Sequence, residues 1–270
     1  MTLQGRHISV ATPMYNNMCI GDFVTSLIRL QGRLHEVGAR MSFLHCNGTD
    51  IALARNIAAG AFMQSEATDL LFVDADMGFD ADEVIAMLET GHDVVGAVCP
   101  NKFFDWNRVK AIAAANPDID PGRLERASPA YGTLRLVSGE GSGKLALNAP
   151  FEVAGIGTGI MAIKRDVFAK LYDAFPDQRI SMAANPTYIS MFAPGTKDIG
   201  APFRFRVDNG EIIGEDIGFC ADWRSIGGKV WACPWLTIRH TGNYSFTGSL
   251  RAIAESGGTV HLFSEAPPAR

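Results

Sequence analysis

The chain has 270 residues, 47% hydrophobic and 20% charged, which suits one large α/β domain with a substantial core. Its net charge of −5 supplies no general field for nucleic acid or an anionic membrane, so any phosphate site has to be local. Five scattered cysteines (Cys19, Cys46, Cys99, Cys220 and Cys233), none in a CxxC pair, argue against a disulfide framework or zinc knuckle and for a reducing compartment.

The opening MTLQGRHISVATPMY lacks the basic segment and apolar run of a signal peptide. No run of about 18 apolar residues occurs, so no transmembrane helix is expected and a cytoplasmic location is. Ile8 to Ala11 reads as a short buried strand stopping at Thr12-Pro13. Asp22 then reads as the N-cap of a helix with Phe23, Leu27, Leu30, Leu34 and Val37 on one face, ended by Gly38. A second strand over roughly 41–45 leads into NGTD, where Asp50 can cap the helix IALARNIAAGAFM. The strand DLLFV follows, then a short helix near 82–89 stopped by Gly91, then the strand DVVGAV. Strands alternating with helices predict a mixed, mostly parallel sheet covered by helices on both faces, with ligands beyond the carboxyl ends of the strands.

The second half is less regular. Residues 100–150 read largely as loops, including PDIDPG and SGEGSGK. GIMAI reads as a strand, KRDVFAKLYDAF as a helix, and 176–202 as a long turn-rich segment containing Tyr188, Met191 and Phe192. GEDIGFCADWRSIGG supplies another helix, and KVWAC and LTIRH two closing strands. The expected organisation is one domain over 1–255, with a nucleotide-binding half to about 100, a sugar- and acceptor-binding half beyond it, and a flexible tail over 256–270.

The sharpest signal is LLFVDADMGF. Alternation along an extended chain places Asp74 and Asp76 on one side, where two carboxylates repel unless a cation or a proton holds them. A hard divalent ion, Mn²⁺ or Mg²⁺, prefers such oxygen ligands and completes its shell with substrate phosphates. His240, ending LTIRH, is either a structural histidine or a further ligand. Glu215 and Asp216 open a helix, where acids favour the dipole, and either could serve as a general base. Arg55 is the single charged residue of its apolar helix, so it either snorkels or binds an anion. Two glycine motifs fail their contexts: GIGTG precedes a strand instead of following one, and GEGSGKL has the wrong spacing and a leucine where a P-loop needs Ser or Thr.

Taken in order, SVATPMYNN, ALARNIAAGAFMQSEATDLLFVDADM, GIGTGIMAIKRDVF and GEDIGFCADWRSIGGKVWACPWLTIRHTG resemble the GT-A-fold glycosyltransferases of the soluble, family-2-like kind, over roughly residues 7–245. The resemblance implies a Rossmann-like GT-A fold and transfer of a sugar from a nucleotide-sugar, a UDP-sugar, to an acceptor hydroxyl. It implies that Thr12, Pro13 and Tyr15 frame the base, and that Arg55, Asp74, Ala75 and Asp76 belong to the nucleotide site. It further implies that Asp74, Asp76 and His240 hold Mn²⁺ or Mg²⁺, and that Asp216, with Glu215 beside it, is the catalytic base of an inverting reaction. The QxxRW signature of processive synthases is absent after the ED pair. Trp106, Phe103 and Phe104 either stack on a sugar or pack ordinarily. Residues 176–202 have no counterpart in the family and are expected to form a lid. Two other readings compete: a haloacid-dehalogenase-like phosphatase with Asp74 as nucleophile, and a non-catalytic GT-A domain that binds a glycan.

Overall fold

The computed structural model describes residues 2–48, 50–137 and 147–259, and the backbone of 263–264. The expected loop SGEGSGK and the GEGSGKL motif therefore lie outside the described residues, as does most of the expected tail. In chain order the strands are β1 (His7–Met14), β2 (Arg40–Asn47), β3 (Asp69–Val73), β4 (Met77–Phe79), β5 (Val94–Ala97), β6 (Arg135–Leu136), β7 (Phe151–Gly155) and β8 (Ile160–Lys164). They continue with β9 (Arg179–Ser181), β10 (Asp198–Gly200), β11 (Arg206–Asp208), β12 (Glu211–Ile213), β13 (Val230–Cys233), β14 (Ile238–Thr241), β15 (Ser245–Gly248) and β16 (Phe263–Ser264). The helices are α1 (Gly21–Glu36), α2 (Ile51–Met63), α3 (Ala81–Glu89), α4 (Trp106–Ala115), α5 (Pro121–Ala127), α6 (Arg165–Ala174), α7 (Glu215–Ser225) and α8 (Leu250–Glu255).

A nine-stranded sheet in the order β16-β6-β7-β13-β5-β8-β3-β1-β2 forms the centre. The pairings make seven strands run one way, with only β7 and β8 opposed, so the sheet is mixed and mostly parallel as the alternation predicts. Period-2 alternation divides β3 between two cores. Leu70 and Phe72 join the apolar layer under α2, α6 and α7, while Leu71 and Val73 join the layer under α1 and α3. Both faces of the sheet are thus covered by helices.

Local chemistry sets the helix ends. The Asp50 carboxylate accepts the Leu53 N–H at 2.9 Å and caps α2, as expected. Asp80 caps α3 in the same way, and Gly91 follows at φ 75°, a left-handed position that suits glycine. Asp22 is not the N-cap of α1: Ile20 holds that position, and Asp22 lies in the first turn, 3.0 Å from the Arg239 guanidinium.

β1 does not stop at Thr12-Pro13. It runs on to Met14 paired with β2, whereas its pairing with β3 ends at Ala11. Past Ala11 one side of β1 is therefore free of ladder hydrogen bonds, which is where a proline can sit in a strand. The region after β5, expected as loop, forms α4 and α5, capped by Asp105 and Asp120. LTIRH forms a strand but leaves the main sheet, joining a separate three-stranded sheet in the order β15-β14-β4. Residues 256–259 are held against α4: the Thr259 carbonyl accepts Arg108 Nε at 3.0 Å.

Candidate functional site

Where β1 and β3 part, a cleft of about 540 Å³ opens at the carboxyl ends of the parallel strands, lined by Pro13, Tyr15, Gly48, Ala54 and the run Asp74–Asp76. Tyr15 is 61% exposed at its rim, followed by Asn16 and Asn17 with φ of 54° and 56°. Two successive left-handed residues turn the chain sharply, and asparagine tolerates that conformation better than most side chains. Pro13, Tyr15, Asp74, Ala75 and Asp76 therefore share one cleft. Thr12 lies behind it, fully buried, with its hydroxyl oxygen unpartnered.

The two aspartates do not point at a common spot. β3 ends at Val73, and Asp74–Asp76 forms a tight turn closed by the Met77 N–H donating to the Asp74 carbonyl at 3.1 Å. Alternation holds only along extended chain, so the expectation that both carboxylates face one ion fails here. Asp74 turns inward, and Arg55 Nη2 donates to both its oxygens at 3.1 and 3.3 Å. The other terminal nitrogen of Arg55 pairs with Glu215, so a single buried guanidinium joins α2, the end of β3 and the start of α7. Burial pushes the Asp74 and Glu215 carboxyls above their ordinary range, with Arg55 pulling both back. Arg55 is accordingly an internal clamp facing two carboxylates, and Glu215 is committed to that clamp. The neighbouring Asn56 is also occupied, holding the Phe203 backbone through both ends of its amide at 2.6 and 3.0 Å.

Asp76 turns outward. Its Oδ2 accepts Lys102 Nζ, and its Oδ1 lies 3.4 Å from His240 Nε2. Strand register puts the histidine there: His240 stands opposite Met77 in the β14–β4 pair, and the Thr241 N–H donates to the Asp76 carbonyl at 2.9 Å. His240 Nδ1 is 2.7 Å from the Pro100 carbonyl, which can only accept, so Nδ1 carries a proton. In the neutral imidazole Nε2 is then a lone pair facing a carboxylate oxygen. Asp76 Oδ1 is buried and has no hydrogen-bond partner. Burial acts to raise the Asp76 carboxyl, but His240, which once protonated donates from Nε2, and Lys102 outweigh it and hold it below the ordinary range.

Among the described residues no group of three or more His, Cys, Asp or Glu side chains is arranged to hold a metal ion. The trio Asp74, Asp76 and His240 is thus not assembled, because Arg55 takes Asp74 away. Asp76 and His240 alone fit a hard cation, presenting an oxygen and a nitrogen with no hydrogen between them.

Asp216 stands apart from these pairs, half-buried in the first turn of α7. One oxygen accepts the Ile217 N–H at 2.7 Å, and the other faces Gly157. A Cβ at Gly157 would come within 3.5 Å of Asp216 Oδ2, and one at Gly159 within 3.8 Å of Asp74 Oδ2. The GIGTG segment thereby keeps bare backbone beside both carboxylates, and its Thr158 hydroxyl is buried without a partner. Nine buried side-chain polar atoms of the described residues lack a hydrogen bond. Four of them, on Thr12, Arg55, Asp76 and Thr158, belong to the segments meeting at this end of the sheet. Buried polar groups are normally satisfied, so their concentration marks where a polar ligand belongs.

Lys102 is the site residue that sequence reasoning passed over. Its signal is PNKFFDW, a lone cation directly past the carboxyl end of β5. Of the aromatic residues in that stretch, Phe104 packs against Trp106, Tyr244 and Phe246 with ring centroids 4.8–5.2 Å apart. Trp106 and Phe103 remain 68% and 57% exposed. Residues 176–202 form the β9–β10 ribbon and a 3₁₀ turn, with Phe192 and Ile199 closed onto Gly60 of α2 and the Tyr188 hydroxyl near Gly48 at the cleft wall.

No helix of the described residues is long and apolar enough to cross a membrane. No family model matches the chain. No curated protein matches it. Among solved structures, the protein A197 from STIV is 18% identical with a TM-score of 0.46, covering 92% of this chain and 91% of its own. A mannose-1-phosphate geranyltransferase from Thermus thermophilus is 15% identical with a TM-score of 0.36, covering 64% of this chain and 62% of its own. At these values neither likeness carries an argument about the site, which rests on its own geometry.

Proposed function

We propose that the chain is a glycosyltransferase that moves a sugar from a nucleotide-sugar, a UDP-sugar, to an acceptor hydroxyl with inversion. The observation that carries this reading is the unpartnered Asp76 Oδ1 facing His240 Nε2 at 3.4 Å, at the mouth of a cleft walled by Pro13 and Tyr15. An aromatic wall beside an anion-compensating centre suits a nucleoside diphosphate. Asp76 and His240 would hold Mn²⁺ or Mg²⁺, which supplies charge neutralisation for the departing diphosphate. Asp74, clamped by Arg55, orients the turn that presents Asp76.

Asp216 is the base. Its Oδ2 takes the proton of the acceptor hydroxyl while that oxygen bonds to the anomeric carbon. The bond from that carbon to the diphosphate breaks with its electron pair going to the leaving phosphate. Attack from the side opposite the leaving group inverts the centre. Glu215, tied to Arg55, is unsuited to this role. Arg55 also engages both oxygens of Asp74, which disfavours a phosphatase in which Asp74 is the nucleophile. The ribbon over 176–202 serves as a lid through Tyr188. Nucleotide with Mn²⁺ then protects the bonds after Arg179 and Lys197 from trypsin, and equal cleavage in both states rules the lid out.

Calorimetry with UDP tests the main reading. Wild type binds UDP more tightly with Mn²⁺ than without, and Asp76→Asn loses the difference. Absence of any metal-dependent nucleoside diphosphate binding in the wild type overturns it. Asp216→Asn keeps donor binding while transfer falls by about 10²–10⁴-fold.

A further inference from the structure

We propose that Lys102 is an exchangeable counter-ion: it neutralises Asp76 in the free protein, then releases Asp76 to a divalent cation and carries its own charge to the nucleotide diphosphate. The inference rests on the nucleotide-sugar reading above and deepens it by making one residue couple the two ligands.

Three observations carry it. The Lys102 ammonium occupies Oδ2 of the same carboxylate whose Oδ1 is left unpartnered against His240. The pair is open to exchange, with side chains 40% and 33% exposed, whereas the Arg55 side chain is only 5% exposed between its two partners. An ion pair at that exposure is worth little to stability and is readily given up. The third is Gly242, two residues past His240. A Cβ there would stand 3.0 Å from Lys102 Cδ, so bare backbone at this point gives the lysine stem its path to Asp76. Lysine suits the task because its ammonium is a compact charge on a flexible four-carbon stem, able to turn between acceptors.

The thermodynamic consequence is a coupling between cation and nucleotide. Without nucleotide, a cation at Asp76 must displace Lys102 and leave that ammonium with water alone. With nucleotide present, the displaced ammonium meets phosphate oxygens, so the penalty is offset. Each ligand therefore tightens the other by the same factor, as linkage requires. With only Asp76 and His240 offered by the protein, the remainder of a cation's shell would fall to water and phosphate.

Titrations of MnCl₂ into wild type, Lys102→Met, Lys102→Arg and Gly242→Ala, each with and without UDP, test this by calorimetry and by the electron paramagnetic resonance of free Mn²⁺. Wild type should bind Mn²⁺ weakly alone and at least about tenfold more tightly with UDP, within the usual range of coupling factors. Lys102→Met should bind Mn²⁺ alone about tenfold more tightly than wild type and lose most of the tightening by UDP. Lys102→Arg should restore the tightening. Gly242→Ala, which crowds the stem without removing the charge, should also raise the affinity for Mn²⁺ alone. Metal-free thermal melts confirm that each variant is folded. A synergistic wild type with an unchanged Lys102→Met sinks the role of Lys102 and leaves the nucleotide-sugar reading standing. Failure of wild type and Lys102→Met alike to bind Mn²⁺ with UDP overturns both.

Discussion

Asp74 and Asp76 are separated by one residue, and each meets a cation, yet the two meetings are physically unlike. Asp74 faces a guanidinium that is 5% exposed and shared with the buried Glu215. Asp76 faces a lysine that is 40% exposed and a histidine oriented by a backbone carbonyl. The first cluster lies where three elements converge: Arg55 and Glu215 are desolvated there, while Asp74 keeps about a quarter of its side chain open to the cleft, and each charge depends on the others. The second lies at the cleft, where water can take the place of Lys102 while the buried Oδ1 stays against His240. Desolvated clusters hold geometry; hydrated ones can exchange partners. The turn Asp74–Asp76 connects the two, so the rigid cluster aims the labile one.

Removing Arg55 breaks this contrast most severely. Arg55→Met leaves Asp74 and Glu215 without their counter-charge, and loss of one partner from a buried pair costs about 3–5 kcal/mol. Urea denaturation should show that loss as a lowered midpoint with an unchanged slope. Adding Asp74→Asn and Glu215→Gln to the same chain should recover a large part of it, because no uncompensated charge then remains. A single variant as stable as wild type would mean that the clamp is solvated after all. Asp76→Asn is the complementary case. Its stability should lie within about 0.5 kcal/mol of wild type. Its Mn²⁺-dependent affinity for UDP should fall by about 10–100-fold in calorimetry. His240→Gln, whose amide oxygen can still accept a hydrogen bond or coordinate a cation, should weaken that affinity by only about three- to tenfold.

The same contrast explains what could be read from the sequence. The first hundred residues alternate apolar strands with helices, and Asp50 caps the helix that its position suggests, while the Asp80 cap of α3 and the Ile20 cap of α1 went unread. Their order placed Pro13, Tyr15 and Asp74–Asp76 at one end of a mostly parallel sheet. Which way each carboxylate turns was not legible, because residues 74–76 leave the extended chain on which the alternation argument depends. Lys102 and His240 reach Asp76 from segments 26 and 164 positions away, through a glycine gap at 242 and a strand pairing in a second small sheet. No local pattern encodes a meeting at that separation. The helices α4 and α5 were passed over because PDIDPG reads as a loop, although Asp120-Pro121 is a helix start with proline at its first position.

Acid provides the finest test, because the two clusters respond to it with opposite sign. Asp76 has a lowered folded-state pKa, the net result of burial opposed by His240 and Lys102. Below the unfolded aspartate value of about 3.9 the unfolded chain binds this proton first, so the stability that Asp76 contributes is present above that pH and lost as pH falls through the folded value. Asp74 and Glu215 have raised folded-state values, chiefly from burial. For them the folded chain binds protons first, so each reduces stability as pH rises from the unfolded value through the folded one. Denaturation from pH 3 to 7 should therefore show Asp76→Asn flattening the acid-side loss, while a chain carrying both Asp74→Asn and Glu215→Gln steepens it. Arg55 stays charged throughout and cannot produce either change by its own titration. If the Asp76→Asn curve ran parallel to wild type below about pH 4, its pairing with Lys102 and His240 would be too well hydrated to register in folding. Asp76 would then act only when a ligand is bound, and the division between a clamp built into the fold and a centre completed by its ligand would be wider still.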